Sequence, residues 1–278
     1  MTFEPPGDGA LDYFPCRYGA SRLVFRGPRR DLSLPYVSVL GGTETYGRYI
    51  ADPYPTLVEV GQGLSLVNLG LQNAGLDAYL KDPDILAVAS AARVAVVQVM
   101  GAQNLSNRFY AVHPRRNDRF LHPTPLLQRM FETIDFTEFH FTRHMLGALQ
   151  AASVDRFEVV AEELRSAWVL RMRALLARLR CPVLLVWMGS APPPEPERRA
   201  RLSSEPLLVD AEMLAAVRGG AEGYLEFVAS ADARQAGTEG MVLGAMERPA
   251  AELMHGPAVH RELAAVLGPM IRTMVARG

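Results

Sequence analysis

Three observations predict an α/β chain with a three-layer α/β/α architecture around a mainly parallel sheet. Four short, near-continuous apolar runs alternate with helical patterns, each run breaks into glycine and polar residues at its carboxyl end, and a long stripe of 3.6-residue period precedes the last run. Strands half exposed to water would alternate apolar with polar residues; continuous runs belong to strands covered on both faces.

In chain order, residues 1–35 read as an N-terminal arm and 36–278 as a single α/β domain. Met1 to Ala10 carries Glu4, Pro5, Pro6 and Asp8 and no cationic apolar run, so no secretory signal is expected. The first strand is Tyr36 to Leu40, opened by Pro35 and closed by Gly41-Gly42. Ser65 to Leu69 is the second, ending at Gly70; Arg93 to Met100, rich in β-branched residues, is the third, ending at Gly101. An insertion of helices and loops, 115–152, follows. Its Phe120, Leu121, Leu126, Leu127, Met130, Phe131, Phe136, Phe139 and Phe141 must pack against something, so it is expected beside the strand ends as a lid or as a homodimer contact. Val154 to Arg180 is a long helix with Phe157, Val160, Ala161, Leu164, Trp168, Leu175 and Leu179 on one stripe. Pro182 to Met188 is the fourth strand, Pro192 to Arg199 an exposed loop, and His260 to Ala276 a terminal amphipathic helix.

Composition narrows the function. A chain of 278 residues with 49% hydrophobic and 21% charged residues can bury a sizeable core and is neither disordered nor collagen-like. A net charge of −1 leaves no excess of positive charge for a nucleic-acid backbone, so no nucleic-acid partner is expected. No apolar run reaches the roughly 18 residues of a membrane span. Lys81 is the single lysine among 29 basic residues, the usage of a GC-rich bacterial genome. Cys16 and Cys181 form neither a disulfide framework nor a metal knuckle, and the expected address is the cytoplasm.

Parallel α/β sheets bind ligands outside the carboxyl ends of their strands. The loops there form a series: Gly41-Gly42-Thr43-Glu44-Thr45-Tyr46-Gly47, then Asn68-Leu69-Gly70-Leu71-Gln72-Asn73-Ala74-Gly75, then Gly101-Ala102-Gln103-Asn104-Leu105-Ser106-Asn107, and late in the chain Glu252-Leu253-Met254-His255 before the last helix. Thr43 reads either as a hydroxyl nucleophile or as a turn hydroxyl capping a helix; Gln103 and Asn104 read either as amide donors or as turn formers. Arg17, Arg22, Arg26, Arg29 and Arg30 crowd a stretch free of acids until Asp31, as a solvated face or as an anion site. His140 and His144, four apart, have no acidic or cysteine ligand at matching spacing and are expected to be structural; no metal is expected. Gly61-Gln62-Gly63 lacks the third glycine of a dinucleotide fingerprint, and neither GxxxxGK[ST] nor G-x-S-x-G occurs, so no cofactor is expected.

The order of the four loops resembles the SGNH (GDSL-type) hydrolase superfamily of esterases, lipases and carbohydrate acetyl esterases, whose chain runs strand-GDS, strand-NxGxxG, strand-GxND and a late DxxH. The resemblance spans Tyr36 to Ile271 and implies an SGNH/flavodoxin-like fold. It places the nucleophile on Thr43, the histidine on His255 and the carboxylate on Glu252, with the oxyanion positions on Asn73, Gly75, Gln103 and Asn104. His260 falls on a second, noncatalytic histidine. The sequence departs from the pattern where the GDS aspartate is Gly42, the serine is threonine, and the GxND asparagine and aspartate are Gln103 and Asn104. The expectation is an ester hydrolase or O-acyltransferase acting on a small or carbohydrate-like substrate, slowed by the threonine methyl. The alternatives are a catalytically silent module binding a ligand or partner in the same cleft, or a transferase of an anionic group held by Arg22 and Arg26.

Overall fold

Pro35, with no N–H to pair, opens the first β-branched run, and Gly41-Gly42 closes it. This computed structural model describes residues 11–196, 202 and 205–277. The Met1–Ala10 segment and the end of the Pro192–Arg199 loop lie outside the described residues. The elements follow in order: β1 (Val37–Gly41), α1 (Thr43–Tyr46), α2 (Tyr54–Gln62), β2 (Leu66–Gly70), α3 (Leu76–Leu80), α4 (Pro83–Ser90) and β3 (Val94–Gln98). Then come β4 (Tyr110–Val112), β5 (Phe120–Pro123), α5 (Pro125–Met130), α6 (Thr142–Ala152), α7 (Val154–Arg178), β6 (Val183–Gly189), α8 (Ala211–Arg218), β7 (Gly223–Val228), α9 (Ala231–Gln235), α10 (Arg248–Ala251) and α11 (Pro257–Arg277).

The helix starts follow from capping chemistry. Asp82, Ser153, Asp210 and Ser230 each accept a backbone N–H from the first turn of α4, α7, α8 and α9, satisfying donors that would otherwise be orphaned. Pro55 and Pro83 stand in first turns, where their missing N–H costs nothing.

The main sheet has the order β2-β1-β3-β6-β7, with every neighbouring pair parallel. Alternation along each strand divides the core in two. Leu40, Val67, Leu69, Ala95, Val97, Leu185 and Trp187 face the helices α3, α4, α6, α7 and α8. Val37, Val39, Leu66, Val94, Val96, Leu184 and Val186 face α2, α9 and α11. The chain is therefore a three-layer α/β/α fold. Its strand order reverses between β1 and β3, and the crevice at such a switch point is where open α/β sheets bind ligands.

Two features differ from the sequence reading. A fifth strand, β7, extends the sheet beyond β6; its sequence Gly-Tyr-Leu-Glu-Phe-Val is half buried at an edge and lacks a continuous apolar run. The insertion holds strand as well as helix: β5 pairs antiparallel with β4, which begins before residue 115. In the described part of the arm, Tyr18, Leu23 and Phe25 are buried in the α7-side core. No helix among the described residues is long and apolar enough to cross a membrane.

Candidate functional site

The carboxyl ends of β1, β2 and β3 are tied together by buried polar groups. Gln98, the last residue of β3, accepts through Oε1 from the Gly42 N–H at 2.9 Å and from the Thr45 hydroxyl at 2.7 Å. Thr45 Oγ1 is also 2.7 Å from the Tyr54 hydroxyl. Gly41 has to be glycine, because a Cβ there would run into Thr45 Oγ1 and Gln98 Oε1. Asn68 on β2 donates from Nδ2 to the Thr45 carbonyl at 2.8 Å and accepts the Gly70 N–H at 2.8 Å. These bonds fix the direction in which the chain leaves β1, and hence the place of Thr43 at the start of α1.

Thr43, Asn73, Gly75 and Asn104 are brought together around this turn. The Asn73 N–H donates to Thr43 Oγ1 at 2.9 Å, and the Thr43 hydroxyl donates to Asn73 Oδ1 at 3.1 Å. Asn73 has a φ of 53°, a left-handed conformation that asparagine tolerates better than most side chains. Its Nδ2 donates to Asp118 Oδ2 at 3.2 Å, and its carbonyl accepts from Asn104 Nδ2 at 2.9 Å. Asn104 Oδ1 in turn accepts the buried Thr142 hydroxyl at 2.7 Å, while the Thr142 N–H donates to the Asp118 carbonyl at 3.0 Å. Gly75 donates to Asn117 Oδ1 at 3.0 Å and lies so close to Asn104 that a Cβ would strike its carbonyl. Gly75→Ala is accordingly expected to destabilise the protein by about 1–3 kcal/mol, read as a lower denaturation midpoint at unchanged slope. Gln103 makes no hydrogen bond to this cluster; its carbonyl accepts from Tyr110 Oη at 2.6 Å, and its Oε1 is buried without a partner.

On the other side of α1 stand two histidines and a carboxylate. The His255 main-chain N–H donates to Glu44 Oε1 at 3.2 Å, and His260 Nε2 lies 3.5 Å from Glu44 Oε2. His260 is fully buried, and its Nδ1 accepts the Tyr54 N–H at 3.1 Å, so the neutral ring carries its proton on Nε2, facing Glu44. Burial pushes the Glu44 carboxyl up, but the His260 contact and the His255 imidazole outweigh burial and hold it below the ordinary carboxylate value. Burial lowers the His255 pKa; Glu44 opposes this in part, and His260 adds to it. His255 is thus a neutral base at neutral pH beside a charged carboxylate.

Glu252 is exposed just after α10, and among the described residues it has no hydrogen bond or ion pair to His255. The carboxylate beside His255 is Glu44, which precedes it by more than two hundred residues in sequence and follows Thr43 directly. Arg26 is buried, and it donates to the carbonyls of Gly47 at 2.6 Å, Ile50 at 2.8 Å and Ala51 at 2.6 Å, bracing the loop after α1; Arg22 is exposed. His140 precedes α6 and His144 lies within it, both exposed, with His144 edge-on to Phe139 at 5.0 Å. Among the described residues no group of three or more His, Cys, Asp or Glu side chains is arranged so that it could hold a metal ion.

Glu44, Asp118, Asn117 and Thr142 were not foreseen as site residues. Glu44 carried a signal, an acid beside the candidate nucleophile. The other three come from the insertion, where no periodicity or motif marked them.

The model of the family described as a domain of unknown function (DUF6473) matches residues 1–275. No curated protein matches the chain. Among solved structures, a gut microbial diltiazem-metabolizing enzyme is similar at 11% identity and a TM-score of 0.37, over 87% of this chain and 47% of that one, so this chain spans about half its length. A lipase, Lip_vut3, from goat rumen metagenome is similar at 11% identity and a TM-score of 0.31, over 81% of this chain and 100% of that one.

Proposed function

Since the chain belongs to the family described as a domain of unknown function (DUF6473), its chemistry has to be read from the site itself, and we propose acyl-ester hydrolysis or transfer through an acyl-Thr43 intermediate. The observation that carries this reading is the Thr43 hydroxyl held beyond the end of β1 with the Asn73 N–H on its oxygen, while the next residue, Glu44, accepts the His255 main-chain N–H and sits close enough to raise the imidazole pKa. Thr43 Oγ1 adds to the ester carbonyl as His255 takes its proton; the tetrahedral oxyanion is met by the Asn73 N–H; and the ester C–O bond breaks as His255 returns the proton to the leaving alcohol. Water completes hydrolysis, and a second hydroxyl completes transfer. Glu44 takes the role of the carboxylate that stabilises the imidazolium, in place of Glu252. The substrate class is a small or carbohydrate-like acyl ester.

A panel of small acyl esters tests the reading. Turnover is expected in the parent, is lost in Thr43→Ala, and is faster in Thr43→Ser, which removes the methyl that crowds the approach to the carbonyl. Undiminished turnover in Thr43→Ala would overturn it.

One observation favours a second reading, a ligand-binding module without catalysis: the Thr43 hydroxyl donates to Asn73 and not to His255. That reading predicts ligand binding retained in His255→Ala and no turnover of any ester by either protein.

A further inference from the structure

The geometry points to Asn73 as a latch on the nucleophile, set by the insertion through Asp118; this rests on the acyl-Thr43 reading and adds to it a residue that controls when Thr43 is available. A hydroxyl has one proton, so while Thr43 donates to Asn73 Oδ1 at 3.1 Å it cannot donate to His255. The orientation of the carboxamide is not free to reverse. Asp118 Oδ2, 3.2 Å away, can only accept when ionised, so the group facing it is the amide nitrogen and the group facing Thr43 is the amide oxygen.

Asp118 is 9% exposed and Asn104 4% exposed, so the far side of the ring that holds Asn73 is shielded from water, while Asn73 itself stands at the surface. It runs from Asn73 Nδ2 to Asp118, from the Asp118 carbonyl to the Thr142 N–H, from the Thr142 hydroxyl to Asn104 Oδ1, and from Asn104 Nδ2 back to the Asn73 carbonyl. Two of its four members, Asp118 and Thr142, belong to the insertion. A shift of the insertion that withdraws Asp118 lets the carboxamide turn, and the Thr43 proton passes to His255. The Asn73 N–H, which rests on Thr43 Oγ1 and in the acyl-Thr43 reading meets the oxyanion, is main chain and does not depend on the carboxamide. Asn73 therefore has two separable parts, a backbone donor that serves the reaction and a side chain that restrains it.

The separation makes a gain of function the test. Asn73→Gly deletes the carboxamide, keeps the N–H, and suits a φ of 53° better than asparagine does. The measured quantity is the second-order rate of fluorophosphonate attachment at Thr43 in the full chain, located by peptide mass, for the parent, Asn73→Gly and Asp118→Ala. The latch predicts a rise of about fivefold in Asn73→Gly, the factor equivalent to one neutral hydrogen bond, and a rise in Asp118→Ala as well. A residue that only shapes the loop would give an equal or slower rate in both variants. Attachment in the parent with no increase in Asn73→Gly overturns the latch and leaves the acyl-Thr43 reading standing; no attachment at Thr43 in any of the three overturns both.

Discussion

His255→Ala is expected to lower kcat/KM for a small activated ester by about 10²- to 10⁴-fold, the usual worth of a positioned acid–base group. The imidazole is only half buried and anchors no core, so the denaturation midpoint should hardly move. The pH profile adds a signed check. Burial holds the His255 pKa below the ordinary histidine value, so in the parent the acid limb of kcat/KM should fall at a pH below that value. The Glu44 carboxylate pulls the same pKa upward, so Glu44→Gln should move the acid limb to still lower pH, whereas Glu252→Gln should leave it in place. A proton-detected titration of His255 reads the same shift without any substrate. Both groups also link to folding: Glu44 and His255 have lowered pKa values in the folded state, so the unfolded chain binds more protons across those intervals. Their contributions to stability are present above the unfolded values and are lost as pH falls through the folded ones.

Trp168→Ala is expected to have the largest effect on stability, about 3–5 kcal/mol. The side chain is fully buried on the inner stripe of α7, and its Nε1 donates to the Met100 carbonyl at 2.8 Å. Met100 directly precedes the Gly101–Asn104 turn, so this one residue fills the core and fixes the base of a site loop. Trp168→Phe retains most of the apolar volume but takes the indole donor from the Met100 carbonyl, with an expected loss of about 1–3 kcal/mol. Urea unfolding of the three proteins should rank them parent, Phe, Ala.

Four of the five strands of the main sheet were legible because both of their faces are buried: Val37–Gly41, Leu66–Gly70, Val94–Gln98 and Val183–Gly189 each read as a run with a glycine or a polar residue at its end. The same reasoning is blind to β7, whose Glu226 is exposed at the sheet edge, and to β4 and β5, which at three and four residues are too short for any period to show. Within the site, Thr43, Asn73, Gly75 and Asn104 were visible as residues following strands, and the parallel sheet gathers such residues at one end. Partners supplied by the insertion were not, since Asp118 and Thr142 reach the cluster through packing that no local pattern encodes. The Glu252–His255 spacing reads as a pair, yet both follow the end of α10 and the chain turns between them, leaving Glu252 in solvent while the His255 main-chain N–H meets Glu44. A short motif specifies separation along the chain, and only the turn decides which side chains share a space.

If Thr43 forms a covalent acyl intermediate, the mass of the Thr43-containing peptide changes on incubation of the full chain with an activated acyl ester followed by acid quench. That peptide should gain the mass of one acyl group, a gain absent in Thr43→Ala and in His255→Ala. A parent protein that turns over the ester while that peptide stays unmodified through the pre-steady-state interval, or an adduct that persists unchanged in Thr43→Ala, would contradict the acyl-Thr43 intermediate.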